Sequence, residues 1–248
     1  MEDQELLRYS KQIMLPQIDV EGQQKIMDST VLIIGMGGLG SPTALYLAAA
    51  GIGHIIIADF DQVELSNLQR QIIHQTKDIG EDKVDSAKNK LTELNPNIKV
   101  TIANELIHTD NLSTLIKDVD IVLDGTDNFE SRFEINKVCV DYKKPLVSAA
   151  VIRFEGQVSV FKGYEKDQPC YQCLYTEEGD DNESCVQSGV LAPVAGLIGT
   201  IQALQAIKVI LRLGDELCGT LLLVDGLDLS FRKVKIGKDL KCPICNKS

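Results

Sequence analysis

"TVLIIGMGGLGSP", Thr30 to Pro42, decides how the rest of the chain is read. A β-branched apolar run stops at Gly35 and becomes G-x-G-x-x-G, with Gly35, Gly37 and Gly40 in the glycine positions. A buried strand that turns on glycines into a helix of small residues opens a βαβ unit. Its bare backbone N–H groups and the positive end of the helix suit a phosphate. Three readings fit this stretch: a purely structural glycine turn, the pyrophosphate site of a redox dinucleotide, or a site for the phosphates of ATP. The flanking sequence has to separate them.

Working outward, β and α signals alternate. Val31–Ile34 reads as a buried strand, and Ser41–Ala50 as a helix closed by Gly51 and Gly53. "HIIIAD", His54–Asp59, is a second strand. Val84, Ala87, Leu91 and Leu94 share one helical face, and Asn95-Pro96 ends that helix. Strands follow at Lys99–Ala103, "DIVLDG" and "PLVSAA", with a helix over Phe129–Tyr142. Upstream, residues 3–15 and 22–29 read as short helices joined around Pro16. The order predicts an α/β fold, a Rossmann-like, mainly parallel sheet with helices on both faces. After Ala150 the pattern changes, and "VIRFEGQVSVF" and "LDLSFRKVKI" alternate like antiparallel strands. The expected organisation is one unit, residues 1–248, with a nucleotide-binding half over about 1–150 and a smaller mixed half over about 151–248.

Bulk properties narrow the function. The chain has 248 residues, 44% of them hydrophobic, enough for one large core or two closely joined ones. A net charge of −11 argues against nucleic-acid binding, which needs a basic face. The charged N-terminus "MEDQELLRYSKQ" does not read as a secretory signal. The most apolar stretch, Val194–Gly214, carries Gln202, Gln205, Lys208 and Arg212 at helical spacing. That polar stripe predicts a long, mostly buried helix and not a membrane span. A cytoplasmic location is expected.

Asp59 lies nineteen residues past Gly40, at the end of the next strand, where a ribose-binding carboxylate is usual. "DFDQVELSNLQRQ" continues with Asp61, Ser66, Asn67 and Arg70, and Lys83 opens a later helix. "DIVLDGTDN" then delivers Asp124, Asp127 and Asn128 past the end of a parallel strand, where ligands of open α/β sheets sit. Taken singly, Arg70 reads as a surface arginine, Lys83 as a solvated helix lysine and Asp127 as a helix N-cap. Taken together they suit a triphosphate, whose charge calls for cations and for a carboxylate that holds Mg²⁺. Hydride transfer has no evident need of that set.

Seven cysteines include two C-x-x-C pairs, Cys170/Cys173 and Cys242/Cys245. In a reducing compartment this reads as a structural four-cysteine Zn²⁺ site, with a redox dithiol as the rival. Cys139 and Cys218 read as packing residues. Cys185, in the acidic stretch "LYTEEGDDNESCVQSGV", is a candidate acyl or sulfur acceptor, although its acidic neighbours would tend to raise its pKa.

Nearly end to end, the chain resembles the ThiF/MoeB/HesA family, bacterial relatives of the ubiquitin-activating enzymes. The resemblance is carried by "RYSKQI", "VLIIGMGGLGSP", "ADFDQVELSNLQRQ", the Lys83 helix, "LDGTDN", "EGQVSVF", "PCYQC", "GVLAPVAGLIGTIQALQAIK" and "CPIC". It implies an adenylyltransferase acting on the C-terminal glycine of a ubiquitin-like sulfur-carrier protein that ends in Gly-Gly. It also implies ATP, Mg²⁺, an acyl-adenylate, a homodimer and zinc at the four cysteines. By motif position, Gly38 would lie against the nucleotide and Asp59 would hold the ribose. Asn67, Arg70 and Lys83 would contact phosphates, and Asp127 would bind Mg²⁺. Two positions depart from the family pattern. Lys11 stands where relatives carry an arginine that reaches the partner subunit's nucleotide; lysine keeps the charge and loses the bidentate fork. Gly125 stands where cysteine is common.

The branch within the family stays open, because "QQKIMDSTVLIIG" and "ALYLA" look ThiF-like and "IRFEGQ" looks MoeB-like. In ThiF-like members a cysteine in the Cys185 loop is associated with sulfur handling. The rival classes are an NAD-dependent oxidoreductase and a non-catalytic adaptor that docks a ubiquitin-like partner.

Overall fold

The computed structural model describes residues 1–175 and 189–246. One sheet of eight strands organises them, in the order β3-β2-β1-β4-β5-β6-β7-β8. The first five strands are β1 (Thr30–Ile34), β2 (His54–Ala58), β3 (Lys99–Ala103), β4 (Ile121–Asp124) and β5 (Leu146–Ile152). They pair in parallel. The other three are β6 (Glu155–Phe161), β7 (Thr220–Asp225) and β8 (Ser230–Lys235), which extend the sheet antiparallel from β5.

Strand alternation sends each side chain to one of two cores. Val31 and Ile33 join Ile55 and Ile57 on one face. That face is covered by α3 (Asp19–Asp28), α4 (Gly40–Ala50), α5 (Lys83–Leu94) and α8 (Ala192–Leu211). Leu32 and Ile34 point the other way, onto α6 (Thr109–Leu115) and α7 (Phe129–Asp141). Burial on both faces explains why β1, β2 and β4 read as continuous apolar runs, whereas the edge strand β3 is only partly buried. The remaining helices, α1 (Asp3–Arg8) and α2 (Ser10–Ile13), are short and contribute no residue to the core.

Several boundaries differ from the sequence reading. The helix expected over 3–15 breaks at Tyr9, which is buried, with its hydroxyl accepting from Asn95 Nδ2 at 2.9 Å. The helix expected at 22 starts at Asp19, which takes a positive φ of 58°. "VIRFEGQVSVF" is not one strand. β5 runs on to Ile152, and a tight turn at Arg153 (φ 52°) and Phe154 returns the chain as β6. α6 and β7 have no counterpart in that reading. α6 is a short polar helix that buries only Leu112.

α8 is the one helix among the described residues with the length and hydropathy of a membrane span. Here it packs on α4, β5 and β6. Its glutamines face inward, so this part of the polar stripe is satisfied inside the protein. Gln202 Nε2 donates to the carbonyls of Asp124 (2.8 Å) and Val147 (2.9 Å), and Gln205 Oε1 accepts from Leu217 N at 3.2 Å. Gln202→Leu removes both donors from buried carbonyls. It should lower unfolding stability by about 1–3 kcal/mol, read from denaturant melts; an unchanged midpoint would show that these bonds contribute nothing.

Candidate functional site

The glycine loop runs from β1 into α4 at the C-terminal end of the sheet. Gly35 has φ +92°, and a Cβ there would lie 2.9 Å from the Gly125 carbonyl. A Cβ on Gly40 would lie 1.9 Å from the Gly35 carbonyl. Only glycine lets α4 begin this close to β1. Met36 N donates to Asp59 Oδ2 at 2.6 Å, and Asp61 N donates to Asp59 Oδ1 at 2.9 Å. Burial pushes the Asp59 carboxyl up, while the Lys83 charge and these two N–H bonds pull it back.

Lys83 opens α5 against the same turn. Its Nζ meets Asp61 Oδ2 at 2.8 Å, with the lysine side chain 6% exposed and the aspartate 50%. Arg70 reaches in from the segment after the exposed turn Leu65–Asn67. Its backbone N–H donates to Asn67 O (3.1 Å) and its Nη1 to Ser66 O (3.2 Å). Its Cγ would lie 3.3 Å from a Cβ on Gly38.

Together these groups border a cavity of about 390 Å³. Gly35, Gly37, Gly38 and Leu39 form one wall. Asp59, Asp61, Arg70 and Lys83 form a second, and Asp127 and Asn128 close the third. The cavity sits past the ends of β1, β2 and β4, where the strand order reverses between β1 and β4. Asp127 is exposed and is not the N-cap of α7. Asn128 is, because its side chain accepts from Ser131 N at 2.9 Å. Gly40, Ser66 and Asn67 are not on the wall, and Lys11 is exposed on α2 away from it. Cys185 lies outside the described residues.

Arg132 and Gln71 are among the wall residues that escaped the sequence reading. Arg132 is buried on α7 and donates from Nη2 to the carbonyls of Thr126 and Ala149. It stands 3.8 Å from the Asp124 carboxylate. Asp124 is fully buried and accepts from Thr126 N, Thr126 Oγ1 and Ser148 Oγ. This pair fixes the loop that presents Asp127. The signal was the acid ending β4 and an arginine four residues after the N-cap. Gln71, next to Arg70, is buried with its Oε1 unpaired.

A second cavity, of about 770 Å³, shares Asp127, Asn128, Arg132 and Val151 with the first. It crosses the antiparallel strands past Gln157, Tyr175 and Arg232. Behind Tyr175 lie the paired cysteines. The four Sγ atoms of Cys170, Cys173, Cys242 and Cys245 fall within 4.8 Å of one another. The separations 3.4 Å (Cys173–Cys245), 3.6 Å (Cys170–Cys242) and 4.0 Å (Cys170–Cys173) bracket the roughly 3.8 Å edge of a tetrahedral thiolate site. Gly163 makes room, since a Cβ there would lie 2.4 Å from Cys170 Cβ. The hydrogen bond from Cys170 draws the Cys173 thiol down to about 5, and burial pushes Cys245 up to about 12. A divalent cation is what lets four such sulfurs all ionise together. The donor set suits a metal ion.

The chain is 44% identical over 245 residues to the molybdopterin-synthase adenylyltransferase of Escherichia coli K12, covering 99% of this chain and 98% of that one. It is 43% identical over 248 residues to the sulfur carrier protein ThiS adenylyltransferase of the same organism, covering 100% and 98%. Among solved structures, Escherichia coli MccB with ATP superposes with a TM-score of 0.83 at 24% identity. That match covers 97% of this chain and 75% of MccB, and supports the fold alone. The ThiF family matches residues 9–244. The chain belongs to the ThiF family and is an adenylyltransferase.

Proposed function

We propose that this protein activates the C-terminal glycine carboxylate of a ubiquitin-like sulfur-carrier protein, ThiS-like or MoaD-like, as an acyl-adenylate. ATP is consumed with Mg²⁺ and pyrophosphate is released, in thiamine or molybdopterin cofactor biosynthesis. The carrying observation is that Arg70, Lys83 and Asp127 border one cavity together with the glycine loop.

The nucleophile is a carboxylate, ionised at neutral pH, so no general base is required. Its oxygen bonds to the α-phosphorus, the bond to the bridging oxygen breaks, and that oxygen leaves on pyrophosphate with the electron pair. The protein's task is alignment and charge neutralisation. Lys83 exchanges Asp61 for phosphate oxygens. Arg70, steadied by the carbonyls of Ser66 and Asn67, supplies the second cation. Asp59 takes the ribose with the lone pairs its two N–H bonds leave. Asp127, free of any capping duty, holds Mg²⁺, which shields the phosphate charge. The second cavity opens onto the first and gives a Gly-Gly tail its approach.

In this reading the whole chain, 1–248, works as one unit. The four cysteines hold a structural Zn²⁺ in a closed site without chemistry of its own. The protein acts as a cytoplasmic homodimer, in which Lys11 approaches the partner's nucleotide.

ATP–pyrophosphate exchange is the test, run with ThiS-like and MoaD-like carriers with and without the terminal glycine. Exchange that requires that glycine is expected; NADH binding without exchange would overturn the reading. Asp127→Ala should abolish exchange with the melting curve intact, and normal exchange would remove the metal role. Arg70→Ala should lower turnover about 10²-fold; unchanged turnover would return Arg70 to the surface. Elemental analysis should find one zinc per chain in the wild type, and Cys242→Ser should lose it with a lower melting temperature. A metal-free wild type would sink the zinc assignment.

A further inference from the structure

His74 is a buried histidine that the proposed chemistry does not use, and it touches the glycine loop from behind. Its Nε2 lies 3.2 Å from the Met36 carbonyl and its Nδ1 lies 2.8 Å from Ser86 Oγ. A carbonyl only accepts, so Nε2 carries the proton. Ser86 Oγ in turn lies 3.0 Å from Asp78 Oδ2, which also accepts from Gln75 N at 2.8 Å. The His74 backbone N–H donates to Gln71 O at 3.1 Å, next to Arg70. Ser86 sits one turn into α5, the helix that Lys83 opens. One residue therefore links three parts of the wall: its imidazole joins the glycine loop to the Lys83 helix, and its backbone N–H holds the Arg70 segment.

The two peptide planes that flank Met36 are each gripped, the Gly35–Met36 plane at its N–H by Asp59 and the Met36–Gly37 plane at its carbonyl by His74. With both planes held, the backbone angles of Met36 are pinned between Gly35 and Gly37, the residues with the freest backbones in the loop. Without the imidazole, the carbonyl is free to turn and the loop loses the one conformation that aims its N–H groups at a phosphate. The charged groups around the ring are Lys83 from α5, Asp59 from the end of β2 and Asp78 from the turn Thr76–Asp78. Burial holds the ring below its ordinary titration range, so it works as a neutral donor at pH 7.

We propose that His74 is a positioning residue for ATP, acting through the Met36 carbonyl on the glycine loop. The inference rests on the reading of this cavity as an ATP site. ATP affinity is measured by calorimetry on the full chain at pH 7.5, beside melting curves. His74→Ala should weaken ATP about tenfold, the scale of one lost hydrogen bond. His74→Gln, which keeps an N–H donor of similar reach, should return to within about threefold of wild type. Ser86→Ala keeps the ring but frees it, and should weaken ATP about threefold. His54→Ala is the control. It removes a histidine–hydroxyl pair of the same kind, to Thr101 at 2.9 Å, at the opposite end of β2 from the cavity. It should leave ATP affinity unchanged.

A His74→Ala protein that binds ATP like wild type overturns the proposal, and so does a His54→Ala protein that weakens ATP equally. Should His74→Ala not fold, the Ser86→Ala and His74→Gln pair decides, and wild-type affinity in the former overturns it. A wild type that binds no ATP fails earlier, at the reading of the cavity itself.

Discussion

Where a Cβ on Gly40 would sit, the Gly35 carbonyl already stands, 1.9 Å away. This contact sets the distance between the end of β1 and the start of α4, and much else is arranged to suit it. Because α4 begins directly over the strand, its first N–H groups face the space beyond β1. Because the loop is tight, Asp59 at the end of β2 reaches Met36 N, and the Gly125 backbone of the neighbouring crossing packs on Gly35. The cavity is the volume left over once these approaches are made.

A second layer of constraint is polar and buried. Gln202 on α8 binds the carbonyl of Asp124, and the side chain of Asp124 faces Arg132 on α7. A helix above the sheet, the end of β4 and a helix below it are thus coupled through groups that have no water to fall back on. Desolvation makes each partner dependent on the others, so the loop carrying Asp127 is placed by groups well behind it. Arg132 also stacks at 6.0 Å over the Phe129 ring. Phe129 belongs to an aromatic group with Phe133, Tyr171 and Tyr175 that leads to the cysteines. The second cavity borrows its wall from that group.

The parallel half was legible because four of its five strands, β1, β2, β4 and β5, are largely buried on both faces, so their composition marks them. Gly35, Gly37, Asp59, Arg70, Lys83 and Asp127 were legible as neighbours because carboxylates past the strand ends and cations in the segments after the glycine loop fall on the same side of a parallel sheet, and all of them border one cavity. The two C-x-x-C pairs announced themselves by spacing, and the structure brings all four sulfurs together. Other features were hidden for physical reasons. The turn at Arg153 uses a left-handed backbone in a non-glycine residue, which no composition rule signals. The partners of Gln202 and Gln205 were hidden because polarity on a helix says nothing about which neighbour satisfies it. Asp127 resembled a cap until Asn128 was seen to fill that place. α6 buries a single leucine, so its periodicity is too faint to register.

The cysteine knuckles are separated by 72 residues along the chain, Cys170 from Cys242. During synthesis the first knuckle emerges from the ribosome long before the second. Until then Cys170 and Cys173 lack the two sulfurs that complete their cluster. The cluster therefore forms only after α8, β7 and β8 have all been made. Premature pairing with a stray cysteine would act on this interval, so vectorial assembly leaves this clasp to the last stage of folding.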